Sequence, residues 1–272
     1  MDTLHAIFLG ILQGLTEFLP ISSSGHLVIF QHLLGINEPE VLFDTALHFG
    51  TLIAIIIVFK KDVLELIKSS IKLFSTDNIK NIGHLYKNDE TTHLLMLIIF
   101  GTLPTVFIGL VFKDFIESLF TSITTTGFML LITGSFLWAT KYFSGTKKTI
   151  LEMTLASALI IGTVQGLAIA PGISRSGATI AFALFLGIER ETSGRYSFLL
   201  SLPAVLGATI LNFSTITFNV NELFPIAVGT VFSLIAGCFS LLILLRLVKK
   251  GKFYLFSPYC LLLGIITILF AA

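Results

Sequence analysis

Charge is scarce in this chain: Asp, Glu, Lys and Arg make up 12% of its 272 residues, where soluble domains carry about 25%. The two cysteines, Cys238 and Cys260, both lie in apolar runs, so we expect no disulfide and no thiol metal site. No nucleotide-binding motif is present, and we expect no nucleic-acid partner. The first residues lack the basic stretch of a cleavable signal, which favours mature sequence. The scarcity of charged residues excludes an ordinary soluble domain.

Apolar residues take the place of the missing charge. They account for 54% of the chain, and the mean hydropathy is +0.95, which indicates an all-α polytopic membrane protein with a single integral membrane domain over 1–272. Most apolar segments approach the ~20 residues that a helix needs to cross the hydrocarbon core. About ten such segments are visible, near residues 2–19, 23–36, 43–59, 92–112, 124–142, 151–170, 176–188, 192–212, 223–245 and 253–271.

Two of these segments, 23–36 and 176–188, are too short to cross a membrane. Each follows a break rich in Pro, Gly and Ser. Short, interrupted segments at corresponding places in two halves of a chain are typical of broken or re-entrant helices. We therefore predict two re-entrant helical hairpins, at 2–36 and 151–188.

The two hairpins repeat one another in sequence. A shift of 152 residues lays 6–36 over 158–188, and thirteen of the 31 positions are identical. Such internal self-similarity indicates a duplication. We expect a first repeat over 1–143 and a second over 150–272, each a hairpin followed by three spans. Three is an odd number, so the second repeat should be inverted relative to the first.

The Lys and Arg residues test this orientation, because cytoplasmic loops are enriched in them. With 60–90 placed on the cytoplasmic side, fifteen of the 17 basic residues fall on that side, and the exceptions are Lys113 and Arg175. The first hairpin then enters from outside and the second from inside, so their tips can meet near the midplane. The segment 61–74 is amphipathic, and we expect it to lie on the inner surface.

Reactive side chains are divided between the two predicted tips. Glu17 and His26 of the first copy are replaced by apolar residues in the second, and Ser23 is replaced by Arg175. Ionisable groups at membrane depth cost roughly 2.5–3.5 kcal/mol each on insertion scales. A cluster of them therefore indicates a functional site, in which carboxylate, imidazole, hydroxyl and guanidinium would share one pocket.

Each tip leads into a short helix, starting near Ser23 and near Ser174. Helix N-termini expose unpaired N–H groups and favour anions, and Gly25 and Gly172 permit close approach of the backbone to a ligand. Arg175 can grip phosphate oxygens in a bidentate manner. Together these features predict a phosphate or diphosphate pocket.

Two motifs carry a family resemblance: QGLTEFLPISSSGH at 13–26 and PGISRSGAT at 171–179. Together they resemble the bacitracin-resistance family of undecaprenyl-diphosphate phosphatases, and the resemblance covers the whole chain. It implies hydrolysis of undecaprenyl diphosphate to undecaprenyl phosphate and phosphate, which recycles the lipid carrier for cell-wall glycan synthesis and gives bacitracin resistance. It also implies a multi-pass protein of the bacterial plasma membrane, a site open to the outer, periplasmic face, and a divalent cation, Mg²⁺ or Ca²⁺.

The resemblance assigns the catalytic residues by position. Our hypothesis is that Ser23 attacks the terminal phosphorus while Arg175 holds the transferred oxygens. His26 would act as base on the serine or as acid to the leaving phosphate, and Glu17 would orient His26 or bind the cation. A rival nucleophile is His26 itself or a metal-bound water. The family often has glutamate where this chain has Gln13, so Glu17 is the one carboxylate that this motif offers to a cation.

The other motif residues are expected to bind phosphate or to support the tips as caps, backbone partners and packing groups: Gln13, Ser22, Ser24, Gly25, Gly172, Ser174, Ser176 and Thr179. Outside the motifs, Asp44 and His48 share one face of a predicted span near its outer end. They would either pack there or line an entrance to the site.

Two other classes of function fit the same architecture. Inverted repeats with midplane sites are typical of secondary transporters, and a passive flippase could use the same pocket for a phosphorylated lipid. A lipid phosphatase related to acid phosphatases would need a further Arg-Pro motif and a second histidine after the Ser-Arg pair, and the sequence has neither. The Ser, His and Arg set favours phosphoryl chemistry. A homodimer is compatible with the sequence, although no residue requires one.

Overall fold

A computed structural model gives the fold and describes residues 3–33, 41–73, 82–143, 148–213 and 223–271. Within these ranges we number thirteen α-helices in chain order. The first eight are α1 (Thr3–Phe18), α2 (Ser23–Leu33), α3 (Val41–Val58), α4 (Lys60–Leu73), α5 (Ile82–Asn88), α6 (Glu90–Val111), α7 (Lys113–Leu119) and α8 (Ile123–Ala139). The others are α9 (Leu155–Leu167), α10 (Arg175–Phe185), α11 (Arg190–Phe213), α12 (Leu223–Lys249) and α13 (Ser257–Ala271). Short 3₁₀ helices form at Thr140–Tyr142, Ile150–Glu152 and Phe253–Phe256.

Five of these helices, α6, α8, α11, α12 and α13, are long and apolar enough to cross a membrane. The count reaches six if α3 and α4, which meet at an angle of 87°, form one bent span. The chain is therefore an all-α polytopic membrane protein, as predicted. The amphipathic segment predicted at 61–74 forms α4. Residues 34–36 of the first predicted hairpin, residue 74, Lys80 and Lys147 lie outside the described residues.

The two predicted hairpins consist of short helices separated by breaks. The helices α1 and α2 have 16 and 11 residues, and α9 and α10 have 13 and 11, all below the ~20 residues of a full span. The backbone turns sharply at both tips, where Ser22 has φ 68° and Gly172 has φ 94°. A Cβ on Gly172 would lie 2.4 Å from the carbonyl oxygen of Thr126, so glycine is required there both for its dihedral angle and for space.

Helices from the two halves of the chain pack against each other reciprocally. In one pair, a Cβ on Gly10 of α1 would lie 2.4 Å from the carbonyl oxygen of Gly229 in α12. In the other, a Cβ on Gly162 of α9 would lie 1.8 Å from the carbonyl oxygen of Gly101 in α6. Gly10 corresponds to Gly162 at the shift of 152 residues. Gly101 corresponds to Gly229 through a second, weaker match, which pairs Gly101-Thr102 and Gly109 with Gly229-Thr230 and Gly237. Small residues let helix backbones approach closely in membrane proteins, and here glycines at corresponding positions of the two halves allow both contacts.

The hairpins begin at opposite ends of the helix assembly. The helix α1 runs parallel to α12, and α9 runs parallel to α6, as the successive contacts of Gly14 with Gly237 and of Gly166 with Ile108 indicate. The start of α6 and the end of α12 lie at the same end, because both contact the first turns of α11. Arg195 of α11 pairs with Glu90 at 2.6 Å, and the exposed pair of Glu191 and Lys249 lies one turn away. The helix α9 starts beside the start of α6, at this same end. The helix α1 starts beside the start of α12, which lies at the opposite end.

Candidate active site

The tip of the first hairpin is tied to the tip of the second by Ser22. Its hydroxyl oxygen accepts hydrogen bonds from the backbone N–H of Gly25 at 3.2 Å and of Gly172 at 3.1 Å. A Cβ on Gly25 would lie 3.2 Å from the Cα of Gly172, so the two glycines let the tips touch. Ser24 lies beside this link, with its hydroxyl 3.3 Å from that of Ser22. Ser22 thus supports the contact between the two tips.

The second tip is held by two serines and a threonine. Ser174 caps α10 and accepts from the backbone N–H of Gly177 at 3.0 Å, and Ser176 donates to the carbonyl oxygen of Phe18 at 2.9 Å. Thr133 of α8 donates to the carbonyl oxygen of Gly172 at 2.8 Å and accepts from the backbone N–H of Ser174 at 3.1 Å. These bonds fix the direction in which α10, and Arg175 at its start, leaves the tip.

Glu17 is the centre at which the two hairpins bring their polar side chains together. It is 7% exposed, and its Oε1 forms an ion pair with Nη2 of Arg175. Its Oε2 accepts from the Ser23 hydroxyl at 2.6 Å and from the Gln13 amide at 3.0 Å. The structure therefore brings Gln13, Glu17, Ser23 and Arg175 into one cluster, although Ser23 and Arg175 belong to different halves of the chain.

Arg175 retains unused hydrogen-bonding capacity. Its Nη2 is paired with Glu17, whereas its Nη1 is buried and has no hydrogen-bond partner. A buried donor without a partner costs about 1–3 kcal/mol, so such a group needs a reason to be there. Phosphate oxygens are the ligands that a guanidinium fork matches best, and Nη1 is the donor that the pairing of Nη2 with Glu17 leaves without a partner.

His26 forms no hydrogen bond with Ser23 in this structure, and its role on Ser23 stays a prediction. Its Nδ1 lies 2.7 Å from the carbonyl oxygen of Ser22, and its Nε2 lies 2.6 Å from the hydroxyl of Tyr259. The His26 and Tyr259 rings are stacked, with 7° between their planes. Glu17 does not orient His26 either. Nδ1 must donate to the carbonyl oxygen of Ser22, the residue before α2, and this bond turns the imidazole towards α13.

The Thr179 side chain is bonded within α10 and to α11. Its hydroxyl is bonded to the carbonyl oxygen of Arg175 at 2.8 Å and lies 2.5 Å from the hydroxyl of Ser197. The first contact lies within α10, and the second joins α10 to α11. The residue therefore supports the first turn of α10.

The described residues do not fit a divalent cation held by the protein alone. No group of three His, Cys, Asp or Glu side chains in this part of the chain could hold a metal ion. Mg²⁺ and Ca²⁺ take six or more oxygen ligands. Glu17 brings the cluster's only carboxylate, and its oxygens already face Arg175, Ser23 and Gln13. A site of this composition cannot supply the coordination shell.

Sequence reasoning gave Tyr259 no role at the site, and it placed His48 only near the outer end of a span, where it would pack or line an entrance. Tyr259 contacts His26 from the last helix, and no motif connects the two positions. His48 of α3 lies closer to the centre: its Nδ1 is 3.0 Å from Nε2 of Gln13 and 3.5 Å from Oε2 of Glu17. Its place on the same helix face as Asp44 was visible in the sequence, but its distance from Glu17 was not.

Fold and site together define a class: an integral membrane protein in which a serine hydroxyl, a carboxylate and a guanidinium meet at two hairpin tips among apolar helices. The chain belongs to the bacitracin resistance protein BacA family, whose profile matches residues 6–266.

Individual relatives agree along nearly their whole length. An undecaprenyl-diphosphatase of Desulforapulum autotrophicum is 45% identical and is matched over 99% of this chain and 98% of its own. Proteins of the same name from Desulfatibacillum aliphaticivorans and Halothermothrix orenii are 45% and 43% identical, with 97% and 100% of this chain covered and 97% and 99% of theirs.

Proposed function

We propose that this chain hydrolyses undecaprenyl diphosphate to undecaprenyl phosphate and inorganic phosphate at the cluster around Glu17. The family and its named relatives support this activity, as does the hydrolase chemistry expected from the two motifs. One observation carries the proposal: the Ser23 hydroxyl of the first hairpin and the Arg175 guanidinium of the second converge on the same carboxylate. By hydrolysing this substrate the protein would recycle the lipid carrier for cell-wall glycan synthesis and give bacitracin resistance.

The chemistry proceeds in two displacements in this proposal. The oxygen of Ser23 forms a bond to the terminal phosphorus while the bond from that phosphorus to the bridging oxygen breaks, and undecaprenyl phosphate leaves. Water then attacks the phosphoserine, releasing phosphate and restoring the hydroxyl. Glu17 takes the proton of Ser23 in the first displacement, since it already accepts that proton's hydrogen bond at 2.6 Å, and returns it to the seryl oxygen in the second. General-base assistance of this kind contributes typically 10²–10⁴-fold.

Charge on the transferred phosphoryl group would be neutralised by groups of both hairpins. Phosphoryl transfer depends mainly on positioning and electrostatic stabilisation. Nη1 of Arg175 is a free donor at the site, and the N-termini of α2 and α10 begin at Ser23 and Arg175 themselves. The occupied ring nitrogens of His26 argue against the rival hypothesis of a histidine nucleophile. His26 would instead hold the first turn of α2 against α13.

The divalent cation implied by the family is a second part of the proposal. Because the described residues cannot supply its coordination shell, we propose that diphosphate and water oxygens would provide most of its ligands. When bound, such a cation would supply further neutralisation of phosphate charge. Binding of Mg²⁺ or Ca²⁺ to the purified protein should then be detectable only when the lipid diphosphate is present.

We further propose the orientation and setting of the site. The end of the molecule that carries Arg195, Lys249 and the other basic residues would face the cytoplasm, following the positive-inside rule. The first hairpin would then open the site to the outer, periplasmic face of the bacterial plasma membrane. The duplication into 1–143 and 150–272 is supported by the reciprocal glycine contacts. A homodimer stays a prediction.

Phosphate release by the purified protein in detergent tests the activity. No gradient exists in detergent, so a transporter or flippase would release nothing. Wild-type protein should release phosphate from undecaprenyl diphosphate, and Ser23→Ala should abolish that release. Ser135→Ala is the matched control, because this exposed serine bonds only to its own helix at Leu131 and should leave the rate unchanged. Activity of Ser23→Ala near wild type would remove the serine from its role.

A further inference from the structure

The side chain of Gln13 has an unusual bonding pattern. It is fully buried, and its Nε2 lies 3.0 Å from each of two acceptors, Oε2 of Glu17 and Nδ1 of His48. Its Oε1 has no hydrogen-bond partner. An amide whose oxygen is unbonded is oriented by its nitrogen alone. The two acceptors therefore set the direction of the Gln13 side chain.

His48 is connected to the carboxylate mainly through this amide. The direct separation of His48 Nδ1 and Glu17 Oε2 is 3.5 Å, which is long for a hydrogen bond. The bond to Gln13 is shorter and requires Nδ1 to accept, because an amide nitrogen can only donate. The chain of contacts runs from His48 through Gln13 to Glu17, and from there to Ser23 and Arg175.

The second repeat provides a comparison within the same molecule. Gln165 corresponds to Gln13, and its Oε1 is also buried without a partner. Its Nε2, however, donates to the hydroxyl of Thr105 at 3.2 Å, and no ionisable group is bonded to it. The amide is thus common to both copies, whereas its attachment to an imidazole and a carboxylate occurs only in the copy that carries Ser23.

We propose that His48 is a positioning residue for the diphosphatase reaction, which acts by holding the Gln13 amide against Glu17 and so keeps the carboxylate directed at Ser23. This inference rests on the proposed function and adds a residue that lies outside both sequence motifs. His48 itself does not touch the serine. Its side chain is 34% exposed.

Two polar replacements separate this role from others. The side-chain oxygen of asparagine can occupy the place of the histidine Nδ1, whereas the oxygen of glutamine reaches the place of Nε2. His48→Asn should therefore keep the acceptor for Gln13 and retain kcat within about threefold of wild type. His48→Gln should lower kcat about tenfold, the effect of losing one hydrogen bond at an aligned group, with KM changed less than twofold.

A double-variant series completes the test. In a Gln13→Leu background, His48→Gln should cause no further loss, because the amide through which it acts is gone. His84→Asn, a change at an exposed position on α5, is the matched control and should match wild type throughout.

Each contrary outcome overturns the proposal in a recognisable way. If His48→Asn is as impaired as His48→Gln, an acceptor at the place of Nδ1 is not what the site needs, and His48 does not act by positioning the amide. If His48→Gln is fully active, or its loss persists undiminished without Gln13, the contact has no catalytic consequence. Wild-type protein that releases no phosphate would instead refute the proposed function, independently of His48.

Discussion

At the scale of single residues, the ion pair of Glu17 and Arg175 determines what the buried site can do. A charge buried without its partner is costly: breaking a buried pair by removing one side costs about 3–5 kcal/mol in soluble proteins. The pair is worth keeping at membrane depth only if it has a use. Here each member has a second bonding direction, Glu17 towards the Ser23 hydroxyl and Arg175 through its unpartnered Nη1.

Replacing Glu17 should affect both activity and stability. Glu17→Gln removes the base for Ser23 and leaves Arg175 uncompensated, so we expect phosphate release to fall at least 10²-fold and the thermal midpoint in detergent to fall by several degrees. Glu191→Gln is the matched control. Glu191 pairs with Lys249, but both side chains are exposed, and such pairs contribute about 0–1 kcal/mol. Equal thermal shifts for the two variants would show that the Glu17 pair is no more important than a surface pair.

Replacing Arg175 should separate charge from geometry. Arg175→Lys keeps the positive charge but loses the planar fork that can hold Glu17 with one nitrogen and a phosphate oxygen with the other. We expect kcat to fall at least tenfold while the protein stays folded, as measured by phosphate release and by thermal unfolding. Unchanged kcat would mean that a point charge suffices and that Nη1 does not bind the phosphoryl group.

At the scale of secondary-structure elements, the hydrophobic pattern alone located the helices well. The ten apolar segments correspond to α1–α3, α6 and α8–α13, and the segment expected at 176–188 forms α10 over Arg175–Phe185. Helix starts were less accurate. The segment expected from 92 begins at Glu90, because Asp89 caps α6 by accepting from the backbone N–H of Thr92 at 2.8 Å. Polar caps do not register in hydropathy, so the sequence placed this start two residues late.

The site was predictable where the two repeats could be compared, and less so elsewhere. The replacement of Ser23 by Arg175 indicated that each tip supplies different chemistry, and Arg175 does face Glu17. The neighbours of His26 and Gln13 were missed because Tyr259 and His48 come from helices outside the hairpins. Tyr259 is 233 residues from His26. A repeat reveals which residues correspond, but not which helix packs beside them.

Close helix packing makes one glycine pair a sharp test of the fold. Gly162→Ala places a Cβ 1.8 Å from the carbonyl oxygen of Gly101, so α9 and α6 must separate, and overpacking of this kind costs about 1–3 kcal/mol. We expect a lower thermal midpoint and lower activity. Gly207→Ala is the control within α11: nothing lies within 4 Å of its Cβ, and alanine gains up to about 1 kcal/mol in a helix. A stable Gly162→Ala variant would contradict the contact.

At the scale of the whole molecule, the arrangement predicts which surface each end presents. Single cysteines at Lys113 and Lys61, in a Cys238→Ala, Cys260→Ala background, should react differently with a membrane-impermeant maleimide in intact cells. Lys113→Cys should be labelled from outside, and Lys61→Cys only after the membrane is permeabilised, because we propose that the basic end faces the cytoplasm. Both side chains are exposed, so burial does not explain a difference. Labelling of Lys61→Cys in intact cells would reverse the orientation.

The meeting of the two halves of the chain at the hairpin tips is the claim on which the site depends. A Cβ on Gly177 would lie 3.2 Å from the Cβ of Pro20, near the ~3.5–4.5 Å between the Cβ atoms of a disulfide. The direct measurement is cross-linking of Pro20→Cys with Gly177→Cys, in the same cysteine-free background and with a protease site introduced between residues 143 and 148. After mild oxidation and cleavage, the account predicts that the two fragments stay joined until reductant is added, while each single-cysteine variant falls apart. Fragments of the double variant that separate without reductant would show that the tips do not touch, and the shared site would be lost with them.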